Sequence, residues 1–189
     1  MAALPPIDEK QLIKQLQDPK ESRTAFDMLM RAYGEKIYWQ IRRMVVNHDD
    51  ASDLLQNTFI KAWNNVDNFR GDAKLSTWLY KIAVNESLNF LQRERSRQGI
   101  SIDDDSQDTF VVRQLEADDY FDGDALKLEL QKAIAELPER QRLVFNMRYF
   151  EEMKYEQISE VLGTSVGALK ASYHHAVKKI EKHFLGEGS

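Results

Sequence analysis

The sequence lacks several residue types and patterns that other fold classes require. Among its 189 residues there is no cysteine, and there are only 8 glycines and 4 prolines. The absence of cysteine excludes a disulfide scaffold, thiol catalysis and cysteine-ligated zinc or iron–sulfur centres. Scarce glycine and proline disfavour strand-and-turn folds. No apolar run approaches the roughly 18 residues that span a bilayer, and no basic start precedes an apolar stretch. We therefore expect an all-α, cytoplasmic protein without direct membrane insertion.

The negative charge is concentrated in one stretch of the chain. The whole sequence carries a net charge of −5. Between residues 99 and 124, nine carboxylates stand against one arginine, which gives −8 and leaves about +3 for the rest. This stretch has no sustained helical periodicity, so residues 98–124 are predicted to be a flexible acidic linker. Two interpretations stay open: a solvated tether, or a segment whose charge mimics a nucleic-acid backbone.

The block before the linker, residues 8–97, is predicted to be one small helical domain. Apolar residues at steps of three and four predict a long helix over about 22–46 and a second one with an apolar stripe from Ala51 to Trp63. A short helix precedes them at about 8–17, and a third long helix follows a polar loop and runs from about 74 to 97. An aspartate in the break at 47–50 is expected to cap the second long helix.

The block after the linker, residues 125–185, is predicted to be a four-helix unit that ends in a helix-turn-helix. A short helix over 155–162 is followed by Gly163, which can adopt a positive φ, and by Thr164 or Ser165 as the next cap. A short helix, a turn with glycine and a long helix are typical of this motif. The residues expected to face inward on the long helix are Val166, Leu169, Tyr173, Val177, Ile180 and Phe184.

The other faces of this last helix carry lysine and histidine. From 164 to 185 four lysines face one glutamate, and a helix of this diameter fits the major groove of DNA. Lysines neutralise phosphates, and side chains nearer the N-terminal half can reach base edges. The alternative is a solvated lysine-rich surface on a bundle helix. His174 and His175 point about 100° apart on a helix, so they do not form a chelating pair, and we expect neither a metal nor a cofactor.

Several motifs in a fixed order resemble those of the extracytoplasmic-function (ECF) sigma factors of bacterial RNA polymerase. Residues 50–63 resemble the family's core-binding motif. Residues 69–72 and 77–85 resemble the segment that reads and melts the −10 promoter element, while 137–142 and 165–170 resemble the module that reads the −35 element. The resemblance covers about residues 22–184 and implies a non-enzymatic subunit that binds core polymerase, directs it to promoters and helps to open the −10 region.

The resemblance also implies site residues and partners. A polar helix face would dock on the clamp coiled coil of the polymerase β′ subunit, although Asn57 stands where the family commonly has an acid. The family further implies an anti-sigma factor, and a linker that enters the path of nascent RNA. The implied core-binding residues are Asp50, Asp53, Gln56, Asn57 and Lys61.

Two groups of residues are implied for promoter DNA. The −10 group combines a loop with a helix. Trp78 of this helix either packs in the core or inserts into the DNA as a wedge. The −35 group is poor in arginine, so a −35 preference unlike the common one is expected. The −10 residues are Asn68, Phe69, Arg70, Gly71, Asp72, Lys74, Trp78, Lys81, Asn85 and Arg93; the −35 residues are Arg140, Ser165, Lys170, Ala171, His174, His175, Lys178 and Lys179.

Two other classes of function fit the sequence less well. A stand-alone helix-turn-helix regulator needs a sensor domain with a ligand cavity and usually binds palindromes as a dimer. The first block offers amphipathic helices and a polar loop instead. An enzyme is disfavoured because the sequence has no glycine-rich phosphate loop, no His-Glu-x-x-His motif and no evident nucleophile arrangement.

Overall fold

The fold is all-α, as the sequence predicts. The computed structural model describes residues 8–97, 99, 115 and 125–186, and all regular structure within them is helical. Apart from Gly99 and Leu115, the predicted linker lies outside the described residues. Its expected flexibility and its expected role therefore stay predictions. The helices are α1 (Glu9–Gln17), α2 (Ser22–Val45), α3 (His48–Asn65), α4 (Leu75–Arg97), α5 (Ala125–Ala135), α6 (Glu139–Tyr149), α7 (Tyr155–Leu162) and α8 (Val166–Leu185), with a 3-10 turn at Val66–Asn68.

Side-chain caps fix where α1 and α3 begin. The Asp8 carboxylate accepts hydrogen bonds from the backbone N–H groups of Lys10 and Gln11 and so starts α1. The cap of α3 is Asn47, whose side-chain oxygen accepts from the N–H groups of Asp49 and Asp50 at 2.8 and 3.0 Å. The expected aspartate cap is therefore wrong: the aspartates stand inside the first turn, where their charge suits the positive end of the helix.

The N-terminal domain is built around α2. This helix packs against α1, α3 and α4, and its apolar face, which includes Leu29, Ile37 and Ile41, has no solvent exposure. The aromatic part of this core joins α2 to α3, because the Phe26 ring meets Phe59 and Trp63 edge to face. Trp63 itself remains 41% exposed, so it borders the core instead of completing the apolar stripe.

The C-terminal domain has the predicted helix-turn-helix. Gly163 ends α7 with a φ of +64°, a left-handed conformation that favours glycine. Ser165, one of the two predicted caps, starts α8 by accepting from the N–H of Ala168 at 3.3 Å. Pro138 stands at the position before α6, one residue earlier than the first-turn position suggested by the sequence.

The buried face of α8 is narrower than the apolar spacing predicts. Leu169, Ala176 and Ile180 are buried, whereas Tyr173 and Val177 are half-buried and Phe184 is 44% exposed. The prediction that Phe184 is core is therefore wrong. Near the C-terminus of the helix, His183 meets Glu129 of α5 and Glu136, the residue that follows α5, instead of an apolar neighbour.

The two domains pack directly against each other. Helix α7 lies on α4, and α6 lies on α2. The buried side chains of Val144, Met153 and Ile158 belong to the same continuous hydrophobic cluster as the core of the N-terminal domain. Leu115 is 2% exposed and lines a cleft of about 270 Å³ between the domains, beside Val46 and Phe150. None of the described helices is long and apolar enough to cross a bilayer.

The turn of the helix-turn-helix gives a stability prediction. Gly163→Ala should lower the free energy of unfolding by about 1 kcal/mol, because an L-residue is strained in the left-handed conformation. Gly167→Ala is the matched control: it lies in α8 without a positive φ, and Ala should there be neutral or stabilise by up to about 1 kcal/mol. A Cβ at either position meets no atom within 4 Å, so urea unfolding of both variants isolates the backbone effect. Equal losses for the two would contradict this interpretation.

Candidate nucleic-acid interface

The five predicted core-binding residues lie along the outer side of α3. Asp53, Gln56, Asn57 and Lys61 are exposed and Asp50 is half-buried. Ile60, 51% exposed, adds an apolar contact to the same helix surface. Lys61 differs from the others because its Nζ pairs with Glu86 of α4. Asp50, Asp53, Gln56 and Asn57 therefore form one polar strip on α3. The ammonium of Lys61 lies beside α4.

The N-terminal end of this strip concentrates negative charge. Partial burial, and then the carboxylates of Glu94, Asp53 and Asp49, raise the pKa of Asp50 above its usual range. The ionised form of Asp50 is therefore disfavoured, first by partial burial and then by repulsion from the neighbouring carboxylates. A basic partner surface would relieve this repulsion, which makes the strip suited to bind cations.

The loop between α3 and α4 presents most of its predicted DNA residues to solvent. Asn68, Arg70, Gly71, Asp72 and Lys74 are exposed, and Gly71 has a φ of +77° that supports the turn. Phe69 behaves differently. It is 7% exposed, and its ring lies 5.0 Å from that of Trp78, so it anchors the loop on α4 from within.

A pocket opens between α4 on one side and, on the other, the end of α3 with Asn68 of the loop; the predicted loop residues Phe69, Arg70, Gly71, Asp72 and Lys74 do not line it. It has a volume of about 570 Å³, within the usual range for ligand sites. Three predicted −10 residues, Asn68, Trp78 and Asn85, line it together, whereas Lys81 and Arg93 lie exposed elsewhere on α4. Trp78 is half-buried, so it is both a wall of this pocket and a contact of the loop. The remaining lining residues are Lys61, Asn65, Ile82, Glu86, Leu88 and Asn89.

Asn65 and Asn89 were not among the predicted site residues. Asn89 could have been found from helical spacing, because it lies four residues after Asn85 and eleven after Trp78 on α4. Asn65 has no such signal. It is the last residue of α3, and its approach to α4 depends on how α3 packs against α4. Amides on both walls can donate and accept hydrogen bonds, as base edges require.

Helix α1 supports the loop from below. The Gln17 side-chain amide donates to the Phe69 carbonyl at 3.0 Å. Leu12 and Leu16 bury α1 against the domain at 1% exposure, and the Tyr33 hydroxyl of α2 donates to Glu9 at 3.0 Å. The short first helix is thus fixed to the domain and connected to the loop whose Asn68 lines the pocket.

The outer face of α8 is the second candidate surface for DNA. Lys170, Ala171, His174, His175, Lys178 and Lys179 are all exposed. The Lys170 ammonium lies 5.8 Å from the centre of the Tyr155 ring of α7, which ties the two helices of the motif. Three lysines and two histidines therefore share the exposed part of this helix.

Arg140 and Ser165 border the turn before α8. The Arg140 guanidinium donates to the Thr164 hydroxyl at 3.2 Å, and Ser165 caps the helix. Both are exposed and border the N-terminus of α8. Backbone N–H groups together with a cation at a helix N-terminus favour the binding of a phosphate. In the part of the chain that the structure describes, no three histidine or carboxylate side chains are placed to hold a metal ion.

Comparison with known proteins finds two family domains in the chain. The family model for Sigma-70 region 2 matches residues 29–98, and that for Sigma-70 region 4 matches 127–180. RNA polymerase sigma-H factor of Pseudomonas aeruginosa is 32% identical over 181 residues, covering 92% of each chain. The ECF sigma factor SigW of Bacillus subtilis is 31% identical over 92% of this chain and 95% of its own. The chain belongs to the ECF sigma factors.

Solved structures give the same fold for this sigma factor. CnrH, in a structure with the cytosolic domain of CnrY, superposes with a TM-score of 0.70 over 96% of this chain and 99% of its own, at 21% identity. The sigma factor RpoE of Bartonella quintana, in complex with the anti-sigma factor NepR, covers 84% of this chain and 96% of its own with a TM-score of 0.64, also at 21% identity. As a member of this family, the protein is a promoter-directing initiation factor and not an enzyme.

The contact of α1 with the loop gives a prediction for this sigma factor. Gln17→Ala should speed amide hydrogen exchange in residues 66–73 by roughly two- to tenfold, because one hydrogen bond contributes about 0.5–1.5 kcal/mol. Gln11→Ala is the matched control, since Gln11 is exposed on the same helix. Exchange that changes equally in both variants, or in neither, would show that Gln17 does not hold the loop.

Proposed function

We propose that the three exposed surfaces divide the work of a sigma factor among them. The polar strip of α3 binds core RNA polymerase through the clamp coiled coil of its β′ subunit. The loop and α4 read and open the −10 element, and the outer face of α8 reads the −35 element. The domain limits that carry these roles are 8–97 and 125–185, with 98–124 as the connection. The chain works in the cytoplasm, where polymerase and promoter are.

The observation that carries this proposal is the pocket that α4 forms with the end of α3 and with Asn68 of the loop. Opening a duplex costs a few kcal/mol per extruded base, and a protein recovers this by holding the base in a fitted pocket. Asn68 and Asn85 supply hydrogen-bonding groups for such a base, and the Trp78 ring supplies a stacking surface. Lys81 and Arg93, exposed on the same helix, are available for the phosphates of the separated strand.

The −35 assignment depends on the composition of α8. The face contains no arginine, so bidentate contacts with guanine are not available. His174 and Lys170 are the side chains placed to meet base edges, and Lys178 and Lys179, further along the helix, meet phosphates. We infer a weaker −35 preference that differs from the common one and is supported by phosphate contacts.

An anti-sigma factor is the proposed regulatory partner. The support is the pair of structures of similar fold, one of RpoE in complex with the anti-sigma factor NepR and one of CnrH in complex with the cytosolic domain of CnrY. A partner that seats on this chain and prevents its binding to core polymerase is expected. Recovery of no such partner from the native cell would favour control by expression level.

Run-off transcription with core polymerase on a genomic promoter library tests the function as a whole. Start sites should share a −10 sequence and a −35 sequence when the full chain is present and should be absent without it. Asn85→Ala should reduce open-complex formation while leaving the affinity for core polymerase unchanged. Loss of core binding by this variant would contradict the separation of the two surfaces.

The core-binding strip yields a gain-of-affinity prediction. Asn57→Asp should tighten binding to core polymerase by up to about fivefold, as one added exposed ion pair contributes roughly 0.2–1 kcal/mol. Asp53→Asn should weaken it by a similar factor. Fluorescence titration of labelled sigma factor with core polymerase measures both. Unchanged affinity in the two variants would move the docking surface away from this face.

The dependence of DNA affinity on salt concentration separates the phosphate contacts of α8 from its base contacts. Lys178→Ala should weaken DNA binding about equally across sequences and reduce the slope of log affinity against log salt by about 0.9. His174→Ala should instead change the preferred −35 sequence. Lys20→Ala, an exposed lysine outside the C-terminal domain, is the control. If both α8 variants only lowered the melting temperature, the assignment of α8 to DNA reading would be wrong.

A further inference from the structure

Glu86 of α4 is the one carboxylate among the described residues that line the pocket. Its side chain is 12% exposed, and its Oε1 atom accepts from the Nζ of Lys61 on α3, whose side chain is 54% exposed. The other oxygen, Oε2, has no hydrogen-bond partner among the residues that the structure describes. A largely buried carboxylate with one unpaired oxygen keeps a strong acceptor available to whatever enters the pocket.

The ion pair with Lys61 lets a site for nucleic acid contain this carboxylate. A lone negative charge would repel the phosphates of a DNA strand, and Lys61 supplies the one positive charge in the described lining of the pocket. Because Lys61 is more than half exposed, the pair adds little to the stability of the fold. It does cancel the net charge of the pocket, so the acceptor is kept without the repulsion.

Asn65 adds a second acceptor to the same pocket. Its Nδ2 atom donates to the backbone carbonyl of Lys61 at 2.8 Å. A carbonyl oxygen can only accept, so the amide nitrogen must face it, and Oδ1 is the atom that is left over. Asn65 at the end of α3 and Glu86 on α4 thus place an acceptor on each of two walls.

The four DNA bases differ in the donors that they offer to such acceptors. Adenine, cytosine and guanine each carry an exocyclic amino group, which has two N–H donors. Thymine carries none: the carbonyl oxygens O2 and O4 flank its single ring N–H, and a carboxylate close to them is repelled. A pocket rich in acceptors therefore stabilises an extruded amino-bearing base more than an extruded thymine.

We propose that Glu86 is a specificity-determining residue of the pocket: its free oxygen accepts from the exocyclic amino group of the extruded base, so that thymine is rejected at that position. Asn65 supplies the second acceptor, and Lys61 neutralises the carboxylate. This inference rests on the proposed function, in which the pocket holds a base of the −10 element. It adds the chemical class of that base and the side chain that selects it.

Selection from a pool of single-stranded DNA tests the base preference. Holoenzyme made from the full chain and core polymerase is mixed with oligonucleotides randomised over the −10 region, and the retained strands are sequenced. Wild-type holoenzyme should exclude thymine at one position by on the order of tenfold, because a hydrogen bond to a charged group is lost. Glu86→Gln should remove most of that exclusion, since an amide can rotate and donate to a thymine carbonyl.

Asp67→Asn is the matched control for the change of charge. Asp67 is exposed in the 3-10 turn directly before Asn68, and it does not line the pocket. Both variants remove one negative charge near the strand, so both should raise the retention of all sequences slightly at low salt. A changed base preference is expected for Glu86→Gln alone.

A change in the DNA makes the test independent of the folding of any variant. At the position that the selection locates, the preferred base is replaced by its analogue without the amino group: purine for adenine, 2-pyrimidinone for cytosine, or hypoxanthine for guanine. Wild-type holoenzyme should retain the analogue strand less well by on the order of tenfold. Holoenzyme with Glu86→Gln should show a clearly smaller loss, which measures the coupling between Glu86 and the amino group.

Three results would overturn the proposal. These are a selection in which wild-type holoenzyme excludes thymine at no position, equal base preferences in wild type and Glu86→Gln, and an equal loss of the analogue strand with both proteins. Failure of the proposed function is recognised separately. In that case the wild-type holoenzyme would retain the randomised strands no better than core polymerase alone and would show no preference for any base.

Discussion

The burial of the apolar face of α2 is the constraint on which the other elements depend. Every helix of the N-terminal domain packs against it, and α6 of the C-terminal domain does so as well. Leu29, Ile37 and Ile41 are inaccessible to solvent, and burial of side chains of this size is worth about 1.5–3 kcal/mol each. The outer surfaces of α3 and α4 are left polar because their inner surfaces are already used by α2.

Local capping then sets the orientation of the reading elements. Asn47 at the start of α3, Ser165 at the start of α8 and the left-handed Gly163 between α7 and α8 decide where each helix begins. These positions fix which side chains face outward, because a change of one residue rotates a helix face by about 100°. The exposure of His174 and Lys178 is a consequence of that register.

The helices and most exposed site residues could be predicted from the sequence, because the 3.6-residue periodicity is strong and charged side chains avoid the core. The capping residue of α3 could not, since asparagine and aspartate compete for the same role at 47–50. The spacing alone predicts that Phe184 is buried, yet α8 extends beyond the surface against which it packs. The pocket needed tertiary structure, because Asn65 and Asn85 belong to different helices and carry no shared pattern. The packing of α7 on α4 was also beyond the sequence, since Glu151 has no local signal that it meets Arg43.

The position of α1 has a practical consequence for dissecting the protein. The family domain begins at residue 29, whereas α1 ends at Gln17 and already contributes two fully buried leucines to the fold. A fragment trimmed to the family boundary would expose the groove that Leu12 and Leu16 fill, and with it apolar surface that invites aggregation. Isolated-domain work on this chain therefore needs the first helix retained, and boundaries chosen by homology alone would describe a damaged domain.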